Sequence, residues 1–262
     1  MALHSVLVGD DLSPGRPVPT GAPLVLAHGF TQNVNCWGRF AQLLAERSPV
    51  RAVDMAGHGQ SGHDDADLAA SGELLAAAGG SGIYVGYSMG GRVALHTALA
   101  HPELVQGLVL IGATAGLDDP ADRAKRRAAD DALATRLVDD GLPQFLDRWL
   151  ANPLFAGLDD ESAARTQRLS NRAEGLAASL RACGTGTQQP LWDRLGQLAM
   201  PVLIIVGDQD KKFTTIGRRM AAAMTATDAE LLSIPGTHAV HLEKPDETAA
   251  AVLERIARWS GT

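Results

Sequence analysis

Short apolar runs alternate along the chain with longer segments in which apolar residues recur at helical spacing. Six of the runs have the length and the branched apolar content of buried strands, and they cover residues 24–27, 50–54, 83–87, 107–112, 201–207 and 229–235. The segments with helical spacing are residues 36–47, 66–78, 89–100, 213–226 and 245–259. Strands that are apolar throughout and are separated by helices indicate a mostly parallel sheet with both faces covered.

The alternation is interrupted between residues 114 and 192. This stretch contains no strand-like run and is rich in Ala, Arg and Asp. Glycine and proline turn signals divide it at residues 141–143, 152–153 and 184–186. We expect three or four short helices, placed above the strand ends, where open α/β sheets bind ligands. The sequence thus predicts a core formed by residues 1–113 and 193–262, with residues 114–192 inserted as a helical cap or lid.

Composition and charge exclude several classes of protein. The chain has 262 residues, is 45% hydrophobic and carries a net charge of −7, which argues against a disordered chain and against a general nucleic-acid or anionic-membrane binder. We expect no signal peptide, and no apolar stretch approaches the roughly 20 residues that cross a bilayer. Cys36 and Cys183 lack the spacing of a metal site or a disulfide framework. We expect a cytoplasmic protein without metal or cofactor; the sequence leaves the oligomeric state, monomer or dimer, open.

The strongest chemical signal is the segment Gly86-Tyr87-Ser88-Met89-Gly90, which joins an apolar strand pattern to a helix pattern. A Gly-x-Ser-x-Gly motif in this context makes a sharp turn that exposes the serine hydroxyl above the sheet. The hydroxyl then lies at a helix N-terminus, whose dipole favours developing negative charge. The motif predicts Ser88 as a catalytic residue.

A serine hydroxyl needs a histidine base, and the histidine needs a carboxylate that orients it. In this kind of fold the order along the chain is serine, acid, histidine. His238 follows the last apolar strand and is the predicted base, whereas His241 is interpreted as a packed or supporting histidine. Asp210, in the loop after the preceding strand, is the predicted acid, and Asp208 is interpreted as a turn residue.

Two backbone amides are expected to form an oxyanion hole. The first belongs to Met89, directly after the serine, and the second to Phe30, in the loop after the strand at 24–27. His28, in the same loop, is interpreted as a residue that shapes the loop.

Basic residues suggest an anionic substrate. Arg92 lies four residues after Ser88, on the same face of the predicted helix. Residues 114–192 add further cations, namely Arg123, Lys125, Arg126, Arg127, Arg165, Arg168, Arg172 and Arg181. Guanidinium groups bind carboxylates bidentately, which predicts a small polyanionic substrate. Aspartates lie four residues before or after the arginines of the 123–127 cluster. These residues could therefore pair with one another on a solvated helix face instead of binding an anion.

Several segments together resemble the α/β-hydrolase superfamily. They are HGF at 28–30, DMAGHGQS at 54–61, GYSMGG at 86–91, GDQD at 207–210 and the late histidine at 238. The resemblance covers nearly the whole chain and is specific for the fold, not for the reaction. It implies an α/β-hydrolase fold with a mostly parallel sheet of approximately eight strands, flanking helices and an inserted helical lid.

A narrower resemblance lies in GYSMGGRVAL, GLDDPADRAKRRAADDALA, FLDRWLANPLF, RLSNRAEGLAASLRACGTGTQ and GDQDKKF. These segments look like the MenH family, the 2-succinyl-6-hydroxy-2,4-cyclohexadiene-1-carboxylate synthases of menaquinone biosynthesis. The resemblance implies elimination of pyruvate from a cyclohexene, with the Ser-His-Asp triad abstracting a proton. It also implies that Arg92, Arg126 and Arg168 bind substrate carboxylates and that Tyr87 and Trp149 line the pocket.

The match to that family departs at two places. The glycine that usually precedes the catalytic histidine is Thr237 here. The register around residues 168–175 is loose, so Arg172 is an alternative to Arg168.

Three functions follow from the sequence. The first is a cofactor-free lyase of the MenH type that acts on a small anionic substrate. The second is a serine hydrolase that shares the triad but forms a covalent intermediate with a small ester, thioester, lactone or carbon–carbon-bonded substrate. The third is an inactive binding module that retains the fold.

Overall fold

The structure, a computed structural model, describes residues 2–9 and 20–259. Within these residues one sheet has seven strands, in the order β1-β3-β2-β4-β5-β6-β7. The strands are β1 (Ser5–Val8), β2 (Leu24–Ala27), β3 (Val50–Val53), β4 (Gly82–Tyr87), β5 (Val105–Ile111), β6 (Val202–Gly207) and β7 (Ala229–Ile234). Only β1 runs antiparallel to its neighbour; the other pairs are parallel. The predicted mostly parallel sheet is confirmed, with seven described strands where approximately eight were expected.

The six predicted strands correspond to β2 to β7, with bounds that agree within two residues. The remaining strand, β1, was not predicted. It has only four residues at the edge of the sheet, and Leu7 within it is 47% exposed. A short edge strand that buries little apolar surface has no pattern that distinguishes it from a loop.

Helices cover both faces of the sheet. The described helices are α1 (Gly38–Ala45), α2 (Leu68–Gly79), α3 (Met89–Ala100), α4 (Pro120–Asp140), α5 (Leu142–Leu150), α6 (Arg165–Arg168), α7 (Ala173–Cys183), α8 (Lys211–Ala223), α9 (Val240–Glu243) and α10 (Pro245–Trp259). Side chains of α2, α3 and α8 form one apolar core with the sheet, and side chains of α1 and α10 form the other. Apolar residues on both faces explain the continuous apolar strands in the sequence.

The strand order places the candidate residues together at the carboxyl ends of the parallel strands, which is called the sheet edge below. The chain fills the sheet from β2 outward to β3 and then returns to add β4 on the other side of β2. The loops after β2 and β4 therefore leave the same end of the sheet side by side, at a point where α/β sheets bind ligands. Because β6 and β7 run parallel to β4, the loops that follow them open at this edge too.

The segment of residues 114–192, here called the helical insertion, lies between β5 and β6. It contains α4 to α7 and no strand, and α4 extends over 21 residues, so it is not one of the short helices expected there. Leu137, Phe145 and Leu176 belong to a small core of its own. The side chain of Asn171 donates to the carbonyl of Thr31 at 2.9 Å and joins the insertion to the loop after β2. Its action as a lid stays a prediction.

Candidate active site

A sharp turn at Ser88 joins β4 to α3. Ser88 has a φ of 50° and a ψ of −107°, a backbone conformation that is costly for a residue with a side chain. A Cβ at Gly86 would lie 2.5 Å from the Cα of Gly91, and a Cβ at Gly90 would overlap the carbonyl of Ala27. The turn therefore requires glycine on both sides of the serine, and close packing holds the strained residue in place.

The late histidine and the preceding acid lie beside this turn. Nε2 of His238 is 3.1 Å from Oγ of Ser88, and Nδ1 of His238 is 2.8 Å from Oδ2 of Asp210. The other carboxylate oxygen of Asp210 accepts a hydrogen bond from the amide of Phe213 at 3.1 Å, in the first turn of α8. The structure thus brings the serine, histidine and aspartate into one hydrogen-bonded chain, with the histidine and the aspartate both buried.

The charge of Asp210 determines where the protons lie. Burial raises the pKa of Asp210, but the hydrogen bonds from His238 and from the amide of Phe213 outweigh burial, so that the pKa lies below its ordinary value. An ionised carboxylate only accepts hydrogen bonds, so the imidazole proton of His238 lies on Nδ1. Nε2 is then free to accept the hydroxyl proton of Ser88, and the arrangement is suited to proton transfer.

Asp208 and His241, the neighbours of these two residues, have different surroundings. Asp208 is exposed and accepts a hydrogen bond from the amide of Gly236 at 3.1 Å, so its side chain joins the loops after β6 and β7 instead of bonding its own turn as expected. His241 is fully buried, with ring centroids 4.3 Å from Tyr87 and 5.3 Å from Trp37. Neither ring nitrogen of His241 has a hydrogen-bond partner in the part of the chain that the structure describes. Burial lowers the pKa of His241 to about 3, so this histidine is neutral and packed.

The two expected oxyanion donors lie in the loops after β2 and β4. Among residues 2–9 and 20–259, neither the amide of Phe30 nor that of Met89 donates a hydrogen bond to another protein group. His28 supports the first loop: its Nδ1 is 2.9 Å from the carbonyl of Gly29, and its Nε2 accepts from the amide of Met55 at 3.0 Å. Burial lowers the pKa of His28 to about 4, so it is a neutral residue that shapes the loop.

A cavity of about 90 Å³ lies in front of Ser88. Aromatic and apolar side chains form much of its wall, among them Phe30, Met89, Trp149 and Phe213. Two of the arginines proposed from the sequence, Arg92 and Arg126, also line it. The wall of the cavity therefore combines apolar and cationic side chains.

Arg92 carries a charge that no carboxylate neutralises. Its side chain is buried, and it forms no ion pair in the described part of the chain. Its Nη1 atom lies 3.5 Å from the amide oxygen of Gln188, which is a long contact to a neutral group. Burial lowers the pKa of Arg92 to about 10, which leaves it protonated at neutral pH. A buried and unpaired guanidinium beside a cavity is a site for an anion.

The sequence left two interpretations of the basic cluster on α4 open, an anion-binding site and a solvated helix face, and each applies to some of its residues. Arg126 reaches the cavity, and its Nε atom donates to Oδ1 of Asp130 at 2.8 Å. Arg123 donates instead to the carbonyl of Asp118 at 2.6 Å. Arg127 is exposed on the outer face of the helix. One member of the cluster therefore faces the cavity, and the others belong to the helix surface and its N-terminal turn.

Two residues implied by the family resemblance, Tyr87 and Arg168, do not line this cavity. The side chain of Tyr87 belongs to the core on the α1 and α10 face, between His238 and His241. Arg168 is 1% exposed, and its Nε atom donates to the carbonyl of Ala163 at 2.8 Å. Here the structure differs from the expectation, since the strand direction turns the tyrosine inward, and the Arg168 guanidinium also donates through Nη1 to the hydroxyl of Thr31 in the loop after β2.

Arg172, the alternative to Arg168, is not at the cavity either. Its guanidinium is 52% exposed and forms an ion pair with Asp64 at 2.7 Å. Gln188, which contacts Arg92, was not found from the sequence, because the packing of the helical insertion brings it to the arginine and no motif marks it. Asp130 lies four residues after Arg126 on α4, and their ion pair has the spacing that the sequence indicated.

Comparison with known proteins agrees with this geometry. Residues 24–251 match the alpha/beta hydrolase family. The chain belongs to this family. It is 35% identical over 204 residues to the 2-succinyl-6-hydroxy-2,4-cyclohexadiene-1-carboxylate synthase of Serratia proteamaculans, covering 74% of this chain and 80% of that protein. It is 31% identical over 254 residues to the synthase of the same name from Escherichia coli O1:K1, covering 94% and 96%.

A solved structure is similar over nearly its full length. MenH from S. aureus superimposes with a TM-score of 0.84 at 29% identity, covering 98% of this chain and 99% of that one. Membership of this family identifies the chain as an enzyme of the alpha/beta hydrolase fold.

Residues 2–9 and 20–259 contain neither a membrane-crossing helix nor a metal-binding cluster. None of the helices there combines the length and the apolar character that crossing a membrane requires. No group of three or more His, Cys, Asp or Glu side chains is arranged to hold a metal ion.

Proposed function

We propose that this protein is a cofactor-free Ser-His-Asp enzyme of the MenH type, which eliminates pyruvate from a polycarboxylated cyclohexene in menaquinone biosynthesis. The observation that carries the proposal is the unpaired guanidinium of Arg92 in the wall of the Ser88 cavity, with Arg126 beside it. An enzyme for neutral esters gains nothing from a buried charge at this place, which costs desolvation energy. The similarity to the synthases named above extends over the same residues.

In the proposed reaction the Ser88 hydroxyl gives its proton to Nε2 of His238 while it takes a proton from a ring carbon of the substrate. The electron pair of that carbon–hydrogen bond forms a new double bond in the ring, and the bond between the ring carbon and the enolpyruvyl oxygen breaks. The released enolate takes up, on its methylene carbon, the proton that His238 holds on Nε2, and it leaves as pyruvate. Asp210 remains ionised and stabilises the imidazolium of His238.

The other residues of the cavity hold the substrate. Arg92 and Arg126 bind its carboxylates, and Trp149 lies against its apolar ring. The amides of Phe30 and Met89 donate to an oxygen that gains negative charge in the transition state. Removing an arginine that binds a substrate carboxylate is therefore expected to raise KM. Removing a group that transfers the proton is expected to lower kcat.

The size of the cavity supports movement of the helical insertion. Its volume of about 90 Å³ is well below the roughly 300 Å³ that is usual for a site holding a drug-sized ligand. A polycarboxylated cyclohexene enters only if α4 to α7 move away from the sheet edge. We therefore propose that residues 114–192 act as a lid, with residues 1–113 and 193–262 as the core.

A second function is favoured by the same three side chains. The 3.1 Å contact from His238 to Ser88 and the two unpaired amides also suit attack of the serine on a carbonyl carbon. The alternative is thus a serine hydrolase that acts on a small carboxylated ester, thioester or carbon–carbon-bonded substrate, with the same arginines binding its carboxylate.

One experiment separates the two functions. The purified enzyme is given the enolpyruvyl-bearing cyclohexene substrate of the MenH reaction, and pyruvate release is followed beside a panel of small carboxylated and neutral esters. The proposal expects saturable pyruvate release and little ester turnover. Efficient ester hydrolysis with stable labelling of Ser88 by a fluorophosphonate, and no pyruvate, supports the hydrolase instead.

A further inference from the structure

The loop that carries His238 is bonded to the helical insertion. The amide of His238 donates to the carbonyl of Leu154 at 3.3 Å, and the hydroxyl of Thr237 lies 3.0 Å from the same carbonyl. Leu154 belongs to the short 3-10 turn Pro153–Phe155, which follows α5 in the insertion. One carbonyl of the insertion is thus the acceptor for two consecutive residues of the loop.

A carboxylate holds the same loop from its other side. The amide of Thr237 donates to Oε2 of Glu243 in α9 at 2.8 Å, and the hydroxyl of Thr237 contacts Oε1. The space for this carboxylate depends on two glycines, since a Cβ at Gly157 would overlap it and a Cβ at Gly236 would lie 2.9 Å from Oε2. The threonine hydroxyl has one proton, so it donates to Leu154 or to Glu243 at any moment.

The 3-10 turn that supplies the Leu154 carbonyl also borders the cavity wall. Phe155 is buried, and its ring centroid lies 5.7 Å from that of Trp149. Trp149 lines the cavity and packs edge-on against Phe30 at 5.3 Å. A displacement of this wall therefore moves the carbonyl that the His238 loop is bonded to.

We propose that Thr237 is a positioning residue, which couples the closed position of the helical insertion to the placement of His238 against Ser88. The inference rests on the proposed function, because it needs His238 to move a proton. When the insertion lies as it does here, the Leu154 carbonyl holds residues 237 and 238. When the insertion lifts, both bonds break, and the loop is held only by its contacts with Glu243, Asp208 and Asp210. Proton transfer is then efficient only while the cavity is closed around a substrate, where bulk water is excluded.

Two substitutions at this position test the coupling. Thr237→Val keeps the branched shape and removes the hydroxyl, whereas Thr237→Ser keeps the hydroxyl and removes a methyl group. Turnover is measured with whichever substrate class the wild-type enzyme accepts. We expect Thr237→Val to lower kcat by about 10- to 100-fold with little change in KM, because small displacements of a catalytic group cost that much. Thr237→Ser is expected to stay within about threefold of wild type, on the same reasoning.

Hydrogen exchange tests the link without any substrate. Amide protection of residues 152–158 and of residues 235–241 is compared among the wild type and the two variants, with Thr237→Ala as a smaller replacement if the valine variant does not fold. The proposal expects both segments to lose protection together without the hydroxyl, and both to keep it in Thr237→Ser.

The inference is overturned if only residues 235–241 respond, if neither segment responds, or if serine behaves like valine. A fall in turnover that simply follows the melting temperature would assign Thr237 to structure. Because the exchange measurement needs no turnover, failure of the proposed reaction and failure of the coupling give different results.

Discussion

The edge of the sheet and the helical insertion form opposite sides of one cavity, and they hold their polar groups in different ways. At the sheet edge, Ser88, Asp210 and His238 lie within hydrogen-bond distance of one another and are directed by short backbone turns. In the insertion, Arg126 reaches the cavity at the end of a long side chain that is 42% exposed. The first region holds reacting atoms in place, and the second presents charge that can adapt to a substrate.

Packing explains this difference. The Ser88 turn has no room for a Cβ at Gly86 or Gly90, and close packing of this kind over-determines a strained backbone. Helices α4, α5 and α7 of the insertion instead pack apolar side chains into a small core, and Arg126 extends from the surface that remains. We infer that substitutions at the sheet edge abolish turnover, while those in the insertion change substrate affinity.

The largest effect is expected at Ser88. Ser88→Ala removes the hydroxyl that moves the proton, so kcat should fall by roughly four orders of magnitude or more, as it does when a triad member is lost. Asp210→Asn should also be severe, because the amide cannot stabilise an imidazolium. Asp208→Asn is the matched control, since Asp208 only accepts from the amide of Gly236. Equal kinetics for the two asparagine variants would contradict the assignment of Asp210.

A smaller effect, on affinity, is expected at Arg92. Arg92→Ala should weaken a carboxylated substrate by about 2–3 kcal/mol, the usual contribution of a hydrogen bond to a charged group, and leave the melting temperature nearly unchanged. Gln188→Glu offers a sharper test, because it places a carboxylate of the same shape beside Arg92 and competes with the substrate. We expect its KM to rise by about tenfold. A large drop in melting temperature with unchanged kinetics would assign Arg92 to structure.

A third prediction concerns acid stability and the packed histidine. Burial lowers the pKa of His28 to about 4 and those of His58 and His241 to about 3, against an ordinary value of 6.5. Between pH 6.5 and about 4 the unfolded chain binds protons that the folded chain does not, so the free energy of unfolding falls as the pH falls. His241→Leu should make this slope shallower by about 1.4 kcal/mol per pH unit.

This slope is measured by chemical denaturation at several pH values. The comparison uses slopes and not absolute stabilities, since the leucine also changes the packing against Trp37 and Tyr87. An unchanged slope would mean that His241 is protonated in the folded state and has a partner. His241 could then no longer be distinguished from His238 as a neutral, packed histidine without a hydrogen-bond partner.

The smallest effects are expected on α4. Two adjacent arginines there test whether the basic cluster binds an anion or is a solvated helix face. Arg126 lines the cavity, and Arg127 is exposed and does not line it. Arg126→Ala should raise KM for an anionic substrate by about tenfold, whereas Arg127→Ala should leave it within about twofold, as is usual for an exposed charge. Equal changes in both variants would indicate a diffuse electrostatic effect of the helix.

The sequence was sufficient to predict those catalytic groups whose positions are determined by the path of the backbone. The order of Ser88, Asp210 and His238 and the glycines of the turn predicted which groups meet, since parallel strands end at one edge. Tyr87 and Arg168 came only from the family resemblance, and neither lines the cavity. The direction of Tyr87 depends on the pleat at the end of β4. The path of the long Arg168 side chain depends on Thr31, a contact that is distant in sequence.

A crystal structure of the Ser88→Ala variant with the carboxylated cyclohexene substrate tests the central claim most directly. We predict one substrate carboxylate within hydrogen-bond distance of Arg92, a second near Arg126, and the reacting ring carbon facing the position of the missing hydroxyl. A substrate bound elsewhere, or one whose carboxylates face solvent while Arg92 still contacts only Gln188, would contradict the claim that this cavity holds the substrate and performs the reaction.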